Sequence, residues 1–251
     1  MKQAIEINGD AITLRRELGE DTSSPIDIFA LIGSISDLSV VYLPMSDNIS
    51  GMSVKDSDYK LIAINSNMSM GRQRFTVAHE LCHLYYHDNF KTIICSKDLV
   101  GKRNSLEMEA DQFASYFLAP YEALIGFIKR NLNKSDSKLT IEDIVRIEQY
   151  FGMSHQAALV RLQLEKLITP AKAETFKNGV MNIARRLGYS SDLYTKTNPD
   201  NQYRTMGDYI RLANELNEKR LISSGKYEEF LLDAFRADIV YGDTITEEYY
   251  D

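Results

Sequence analysis

The stretch FTVAHELCHLYYH (75–87) constrains the fold of this chain more than any other part of its sequence. It holds three of the four histidines of the chain, His79, His83 and His87, and Glu80 directly follows the first. Apolar residues recur in it at steps of three and four, which predicts an α-helix. Because residues i and i+4 lie one turn apart on nearly the same face of a helix, His79 and His83 present two imidazoles to one point in space.

Two imidazoles placed in this way are typical zinc ligands. A catalytic zinc ion has three protein ligands and one open position for water. Glu80 lies about 100° around the helix from His79, where its carboxylate can reach that water without binding the ion. The pattern H-E-x-x-H therefore predicts His79 and His83 as metal ligands and Glu80 as a general base. The competing interpretation, a pair of surface or core histidines, is weakened if a third ligand stands at a suitable place.

Three side chains are candidates for that third ligand. His87 lies one further turn along, but its direction drifts about 80° from that of His79, so we interpret it as a residue beside the site or in the cleft, or merely as an exposed histidine. Glu107 and Glu109 lie in LEMEADQFA (106–114) on a second predicted helix. Glu107 shares its helical stripe with small residues that permit close packing, whereas Glu109 lies on a stripe with Gln112 and Tyr116, a more solvent-like face. We therefore predict Glu107 as the third ligand.

Two further side chains belong to the predicted site. Asp111 lies one turn after Glu107, where its carboxylate can accept the second N–H of a ligating histidine and fix its tautomer. The competing interpretation for both acids is a solvated helix face. Cys82, inside the histidine motif, is interpreted as a small buried hydrophobe, and a thiolate in the cleft near the metal stays open as the alternative.

The remaining pattern predicts an α+β fold, with a small antiparallel sheet packed on the pair of site helices. Three short β-rich runs, the last of them YKLIAIN, predict a meander, and an exposed edge of it could hold an extended substrate by strand addition. A polar N-terminal segment and then a helix capped by Ser24 precede them. Thr140 and Ser154 each cap a helix of a helix-turn-helix-like pair. The predicted segments are helix 24–35, strands 38–44, 49–54 and 59–65, helix 106–120, and C-terminal helices near 172–187, 206–221 and 225–240.

This pattern divides the chain into three predicted parts: a zincin-like domain (1–130), a helix-turn-helix-like segment (139–168) and a helical domain (170–251) that ends in the acidic tail DTITEEYYD. The formal net charge of -7 argues against a broad surface for nucleic acid or anionic lipid. The chain has no apolar run long enough to span a bilayer, and its first residues do not resemble an export signal. We therefore expect a cytoplasmic protein with reduced cysteines.

RQRFTVAHELCHLYYH (72–87) followed by EMEADQFASYFLAP (107–120) resembles the ImmA/IrrE family of zinc metallopeptidases. Members of that family typically read R-F-T-x-A-H-E-L-G-H and later E-x-E-A-N/D-x-F-A-x-x-L-x-x-P. The similarity is strongest over residues 69–120. It implies a zinc ion held by His79, His83 and Glu107, in agreement with the helical-face argument. Cys82 replaces the usual glycine and Asp111 stands where asparagine is frequent, and neither change affects a predicted ligand.

The resemblance also implies a function. It predicts an intracellular, site-specific zinc endopeptidase that cleaves or inactivates a partner helix-turn-helix repressor, and so acts as an antirepressor of a mobile element or stress response. The alternative is a non-proteolytic DNA- or protein-binding regulator with a vestigial peptidase fold. Its support is the helix pair at 140–168. Because the second of these helices offers only Arg161 and Lys166 as positive charges, we do not expect direct DNA binding. The oligomeric state stays open.

Overall fold

The structure, a computed structural model, describes residues 2–57, 59–87, 92–96, 105–134 and 139–242. Its strands are β1 (Leu38–Leu43), β2 (Ile49–Lys55), β3 (Lys60–Asn65), β4 (Thr92–Ser96) and β5 (Arg204–Gly207). Its helices are α1 (Ala4–Glu17), α2 (Ile28–Ser34), α3 (Met70–Tyr86), α4 (Ser105–Leu118), α5 (Tyr121–Arg130), α6 (Ile141–Phe151), α7 (His155–Leu164), α8 (Pro170–Thr175), α9 (Val180–Arg186), α10 (Asp208–Glu218), α11 (Ser224–Asp233) and α12 (Ala237–Tyr241). Within these ranges, no helix combines the length and apolar composition that a membrane span requires.

The strands form one sheet in the order β4-β2-β3-β1-β5, and the predicted α+β class is confirmed. The meander was wrong in one pairing, because β1 pairs with β3 in parallel, while β2 pairs antiparallel with β3 and β4. β3 offers no free edge for strand addition, since neighbours on both sides already occupy its backbone groups. Among the described strands, the edges of the sheet are β4 and β5.

Helices α3 and α4 pack against each other, and α3 also packs on β2. Small side chains line the contact of the two helices: Ala78, Cys82, Ala110 and Ala114 are all buried in the hydrophobic core. Short side chains allow two helix axes to approach closely. This close approach brings the polar residues of α3 near those of α4.

Helix α1 covers the outer side of α4 and was not predicted, because we interpreted the N-terminus as a polar segment. Its core-facing residues, Ile7, Ala11 and Leu14, are spaced by three or four and are buried. Arg15 is also fully buried, and its guanidinium donates to three backbone carbonyls. The acceptors are Asp21 at 2.7 Å, Ser24 at 2.7 Å and Phe117 at 2.9 Å. The last of these carbonyls belongs to the final turn of α4.

The helix before the sheet begins later than predicted: α2 starts after Asp27, whose carboxylate accepts from Ala30 N–H. The predicted helix-turn-helix-like pair is present as α6 and α7, with the predicted caps. Thr140 and Asp143 form a capping box, and the Ser154 hydroxyl accepts from the N–H of Ala157. The positions of both helices were therefore readable from local sequence.

The C-terminal region differs from the predicted all-helical one in contributing β5 to the sheet, antiparallel to β1. Gly207, which ends β5, has a φ of 84°, and a Cβ there would collide with the carbonyl oxygen of Leu38. The helix predicted at 172–187 is divided into α8 and α9 at Gly179. The three-part domain division stays a prediction, and the acidic tail 243–251 lies outside the described residues.

Candidate metal centre

The structure brings together the three predicted metal ligands from α3 and α4. The Nε2 atoms of His79 and His83 are 3.1 Å apart. One Glu107 oxygen lies 3.3 Å from His79 Nε2, and the other lies 3.4 Å from His83 Nε2. Within the described residues, these three side chains form a group that could hold a metal ion.

Each histidine is oriented through its other ring nitrogen. His79 Nδ1 lies 3.0 Å from an Asp111 carboxylate oxygen, and a carboxylate can only accept, so His79 carries its proton on Nδ1. His83 Nδ1 lies 2.8 Å from Nδ1 of His87. If His83 donates in that contact, its Nε2 is also left with a lone pair. Both unprotonated Nε2 atoms then face Glu107.

The donor set fits a tetrahedral metal ion. An ion bound at about 2.0–2.1 Å separates neighbouring tetrahedral ligand atoms by about 3.3–3.4 Å. The two imidazole nitrogens are 3.1 Å apart, and each has a different oxygen of Glu107 near it, at 3.3 Å and 3.4 Å. Two imidazole lone pairs and a carboxylate that converge in this way repel one another unless a cation lies between them. Imidazole nitrogen and carboxylate oxygen are also the ligands of many catalytic zinc sites.

Glu80 lies beside this group on α3 but points its carboxylate toward the sheet. The side chain is fully buried. Its Oε2 accepts a 2.7 Å hydrogen bond from the Ser53 hydroxyl on β2, while its Oε1 has no hydrogen-bond partner among the described residues. One oxygen is therefore fixed in place and the other keeps lone pairs that can accept a proton.

Two residues that support Glu80, Gly51 and Ser53, were not predicted from the sequence. A Cβ at Gly51 would lie 2.8 Å from the Ala63 carbonyl oxygen, 2.6 Å from Thr76 Cγ2 and 3.3 Å from Glu80 Oε1. Only glycine lets β2 approach α3 this closely. A glycine inside a strand often marks such an approach, so the run ISGMSV did contain a usable signal for Gly51. Nothing local marked Ser53.

His87 is buried, so its interpretation as an exposed histidine was wrong, and it lies outside the group that could bind a metal. Its Nε2 is 3.6 Å from Glu109 Oε1. Glu109 is only 7% exposed, so the expected solvent-like face was wrong. The physical reason is the unpredicted α1 region, because the Lys2 backbone N–H donates to Glu109 at 3.3 Å and its ammonium lies 3.6 Å away. A line of polar contacts thus runs from His83 through His87 and Glu109 to Lys2.

Charge and burial act differently on the two other predicted site residues. Burial raises the pKa of the Glu107 carboxyl, but when His79 or His83 carries a proton on Nε2, hydrogen bonds and charge interactions with these histidines outweigh burial and hold that pKa well below its usual range. Burial raises the pKa of the Cys82 thiol to about 12. Cys82 lies in the hydrophobic core, so it is a buried hydrophobe rather than a thiolate in the cleft.

Two comparisons with known proteins agree with this site. The Peptidase_M78 profile, described as the IrrE N-terminal-like domain, matches residues 35–163, just over half of the chain. Metallopeptidase ImmA of Bacillus subtilis (strain 168) is 38% identical over 88 residues, which are 32% of this chain and 49% of that relative. The chain thus matches about half the length of this curated relative. Both sequence blocks that carry the candidate ligands lie inside the profile match, and the chain belongs to the Peptidase_M78 family of ImmA/IrrE-type metallopeptidases.

Proposed function

We propose that the chain is a zinc-dependent endopeptidase. The observation that carries this proposal is the convergence of His79, His83 and Glu107 beside Glu80, whose buried Oε1 has no hydrogen-bond partner among the described residues. A buried carboxylate oxygen without a hydrogen-bond partner lowers the stability of the fold, so its presence calls for an explanation. Proton transfer during hydrolysis is a function that fits this position.

Each residue of the site has a separate role in the proposed hydrolysis. When bound by the two histidines and Glu107, zinc would polarise the scissile carbonyl and make water more acidic. Glu80 accepts a proton from the attacking water at Oε1 and later delivers it to the leaving amine. Ser53 holds the other oxygen of Glu80, so the carboxylate keeps its orientation through both transfers.

We further propose that the substrate is a helix-turn-helix transcriptional repressor and that its cleavage relieves repression. The support is family membership together with the resemblance of both motif blocks to ImmA/IrrE peptidases. The DNA-binding alternative is weakened by Arg161, one of the two basic residues counted on the second helix of the pair. Its guanidinium is buried, lies 3.9 Å from the centroid of the Tyr116 ring and bonds to Ser115 and Glu165. The guanidinium of Arg161 is therefore not available at the surface to contact a DNA phosphate.

The test is co-expression with the repressor encoded beside the gene. The unsubstituted chain should cleave the repressor. Glu80→Gln should leave it intact, because a side-chain amide is too weak a base to take up the proton of the attacking water. Glu122→Gln, an exposed glutamate on α5, is the matched control and should cleave normally. Release of the repressor from DNA by Glu80→Gln, with the repressor intact, would overturn proteolysis and support the regulator.

Metal analysis tests the ligands separately. We expect about one zinc ion per chain in the unsubstituted protein and in Glu80→Gln, because a catalytic site keeps three protein ligands and Glu80 is not among those proposed. Glu107→Ala should lose most of the metal, while Glu109→Ala should retain it. Undiminished zinc in Glu107→Ala would show that Glu107 is not the third ligand.

A further inference from the structure

A groove of about 300 Å³ lies between α3, α4 and α7. Its apolar walls come from all three helices: Phe75 from α3, Met108 from α4, and Ala157, Val160 and Leu164 from α7. Ligand sites in proteins commonly range from about 300 to 1,000 Å³. The groove is therefore of a size to bind a side chain or a short piece of extended chain, not a folded domain.

The groove lies next to the candidate metal centre. Asp111 lines it and also contacts Nδ1 of His79. Phe75 is one turn before His79 on α3, which is about 6 Å along the helix axis, and Met108 directly follows Glu107 on α4. A side chain of a polypeptide whose scissile peptide bond lies at the three ligand atoms would therefore be within reach of the groove.

Helix α7 presents an uncovered apolar strip to this groove. Val160 is 48% exposed and Leu164 is 52% exposed, one turn apart, and Met108 across from them on α4 is 42% exposed. The opposite face of α7 is anchored in the core by Leu159 and Leu162. Large apolar side chains that remain in water beside a candidate active site indicate a surface that becomes covered when a ligand binds.

We propose that this groove is a substrate subsite that binds a large apolar side chain, such as Leu, Ile, Met or Phe, close to the scissile bond. Val160, Leu164 and Met108 determine that preference. The inference rests on the proposed function, since the occupant is a segment of the polypeptide substrate. It also gives the helix-turn-helix-like segment a role, because α7 forms one wall of the cleft.

The test uses peptide binding and needs no cleavage. Random dodecapeptides displayed on phage are selected, in the presence of zinc, on the full chain carrying Glu80→Gln. The selected peptides should share a large apolar residue at one position. Adding Val160→Lys and Leu164→Lys should abolish that preference, favour Asp or Glu there, and weaken binding of the best apolar peptide by at least about tenfold. Adding Leu221→Lys, at a 67% exposed leucine outside the groove, should change nothing.

The outcomes separate this inference from the proposed function. If no apolar position emerges, or if it survives both lysine substitutions in a variant with an unchanged thermal unfolding midpoint, the groove is not a subsite. If the preference is also lost with Leu221→Lys, the effect is not local and the inference is likewise overturned. The co-expression experiment tests proteolysis separately. If the phage selection gives an apolar preference but the unsubstituted chain leaves the repressor intact, the groove would bind apolar side chains and the proposed peptidase activity would be wrong.

Discussion

His79 is oriented by a carboxylate, whereas His83 is oriented by another histidine. The contact between His83 and His87 is 2.8 Å, and the other nitrogen of His87 faces Glu109 at 3.6 Å. When His87 accepts the Nδ1 proton of His83, its own proton lies on Nε2, which faces Glu109 at a distance too long for a hydrogen bond. The orientation of His83 therefore depends on His87 itself.

This arrangement predicts that His87 positions His83 for metal binding. His87→Leu should lower zinc affinity by about 10- to 100-fold, because the Nδ1 proton of His83 loses its acceptor. His87→Gln should stay within about threefold of the unsubstituted chain, since the amide oxygen can accept that proton. Competition with a chromophoric chelator measures both affinities. A His87→Leu variant with unchanged affinity would show that His87 only fills space.

Gly51 gives a second prediction at the residue scale. Gly51→Ala should destabilise the protein by about 1–3 kcal/mol, because its Cβ would meet the Ala63 carbonyl and Thr76 and force β2 away from α3. Gly9→Ala is the matched control. It lies within α1 with open space around its Cβ, and should stabilise by about 0.5–1 kcal/mol. Urea unfolding distinguishes the two, and equal effects at both sites would contradict the packing account.

At the scale of elements, the buried Arg15 of α1 donates a hydrogen bond to the last turn of α4, in addition to the apolar packing of α1. Arg15→Ala should lower the free energy of unfolding by roughly 3 kcal/mol, because three backbone carbonyls lose a charged donor. Arg16, its exposed neighbour, is the control, and Arg16→Ala should change stability by less than about 0.5 kcal/mol. Thermal or urea unfolding measures both. If the two variants were equally stable, Arg15 would not join α1 to α4.

The elements that local sequence predicted are those whose signals are local. Periodic apolar residues and cap residues located α3, α4, α6 and α7, and the spacing of the histidines with Glu107 identified the side chains that converge. Strand pairing depends on partners far along the chain, so β5 and the parallel β1–β3 pair could not be predicted. The same limit hid Ser53, whose role exists only because β2 lies against α3. The exposure of Glu109 was misjudged because α1 was missed.

At the scale of the whole molecule, residues far apart in sequence complete the same structure. β5 pairs with β1, and residues near 195 reach the beginning of α3. There the Met70 N–H donates to the Thr195 carbonyl at 2.9 Å, and the Gln73 amide donates to the Thr197 hydroxyl at 2.9 Å. The helix that carries His79, Glu80 and His83 is therefore held at its first turn by the C-terminal part of the chain.

Truncation tests this dependence. A chain that ends at residue 203 lacks β5, so one side of the β1 backbone is left unpaired at the sheet edge. We expect this chain to self-associate, and its unfolding midpoint should be lower by at least about 5 °C. A chain that ends at residue 242 keeps every described element and is the control. Size-exclusion chromatography and thermal melting compare them. A monomeric 1–203 chain with the stability of the control would mean that β5 is dispensable.

Because β5 lies far along the chain from β1, it can join the sheet only late in synthesis. About 160 residues separate the end of β1 from the start of β5, and ribosomes add roughly 5–20 residues per second. Both histidines and Glu107 therefore leave the ribosome while β1 still lacks its last neighbour, and this interval lasts on the order of ten seconds. During that time the nascent chain already contains all three candidate metal ligands while one side of β1 stays unpaired, so we expect this to be the stage at which a chaperone has most to protect.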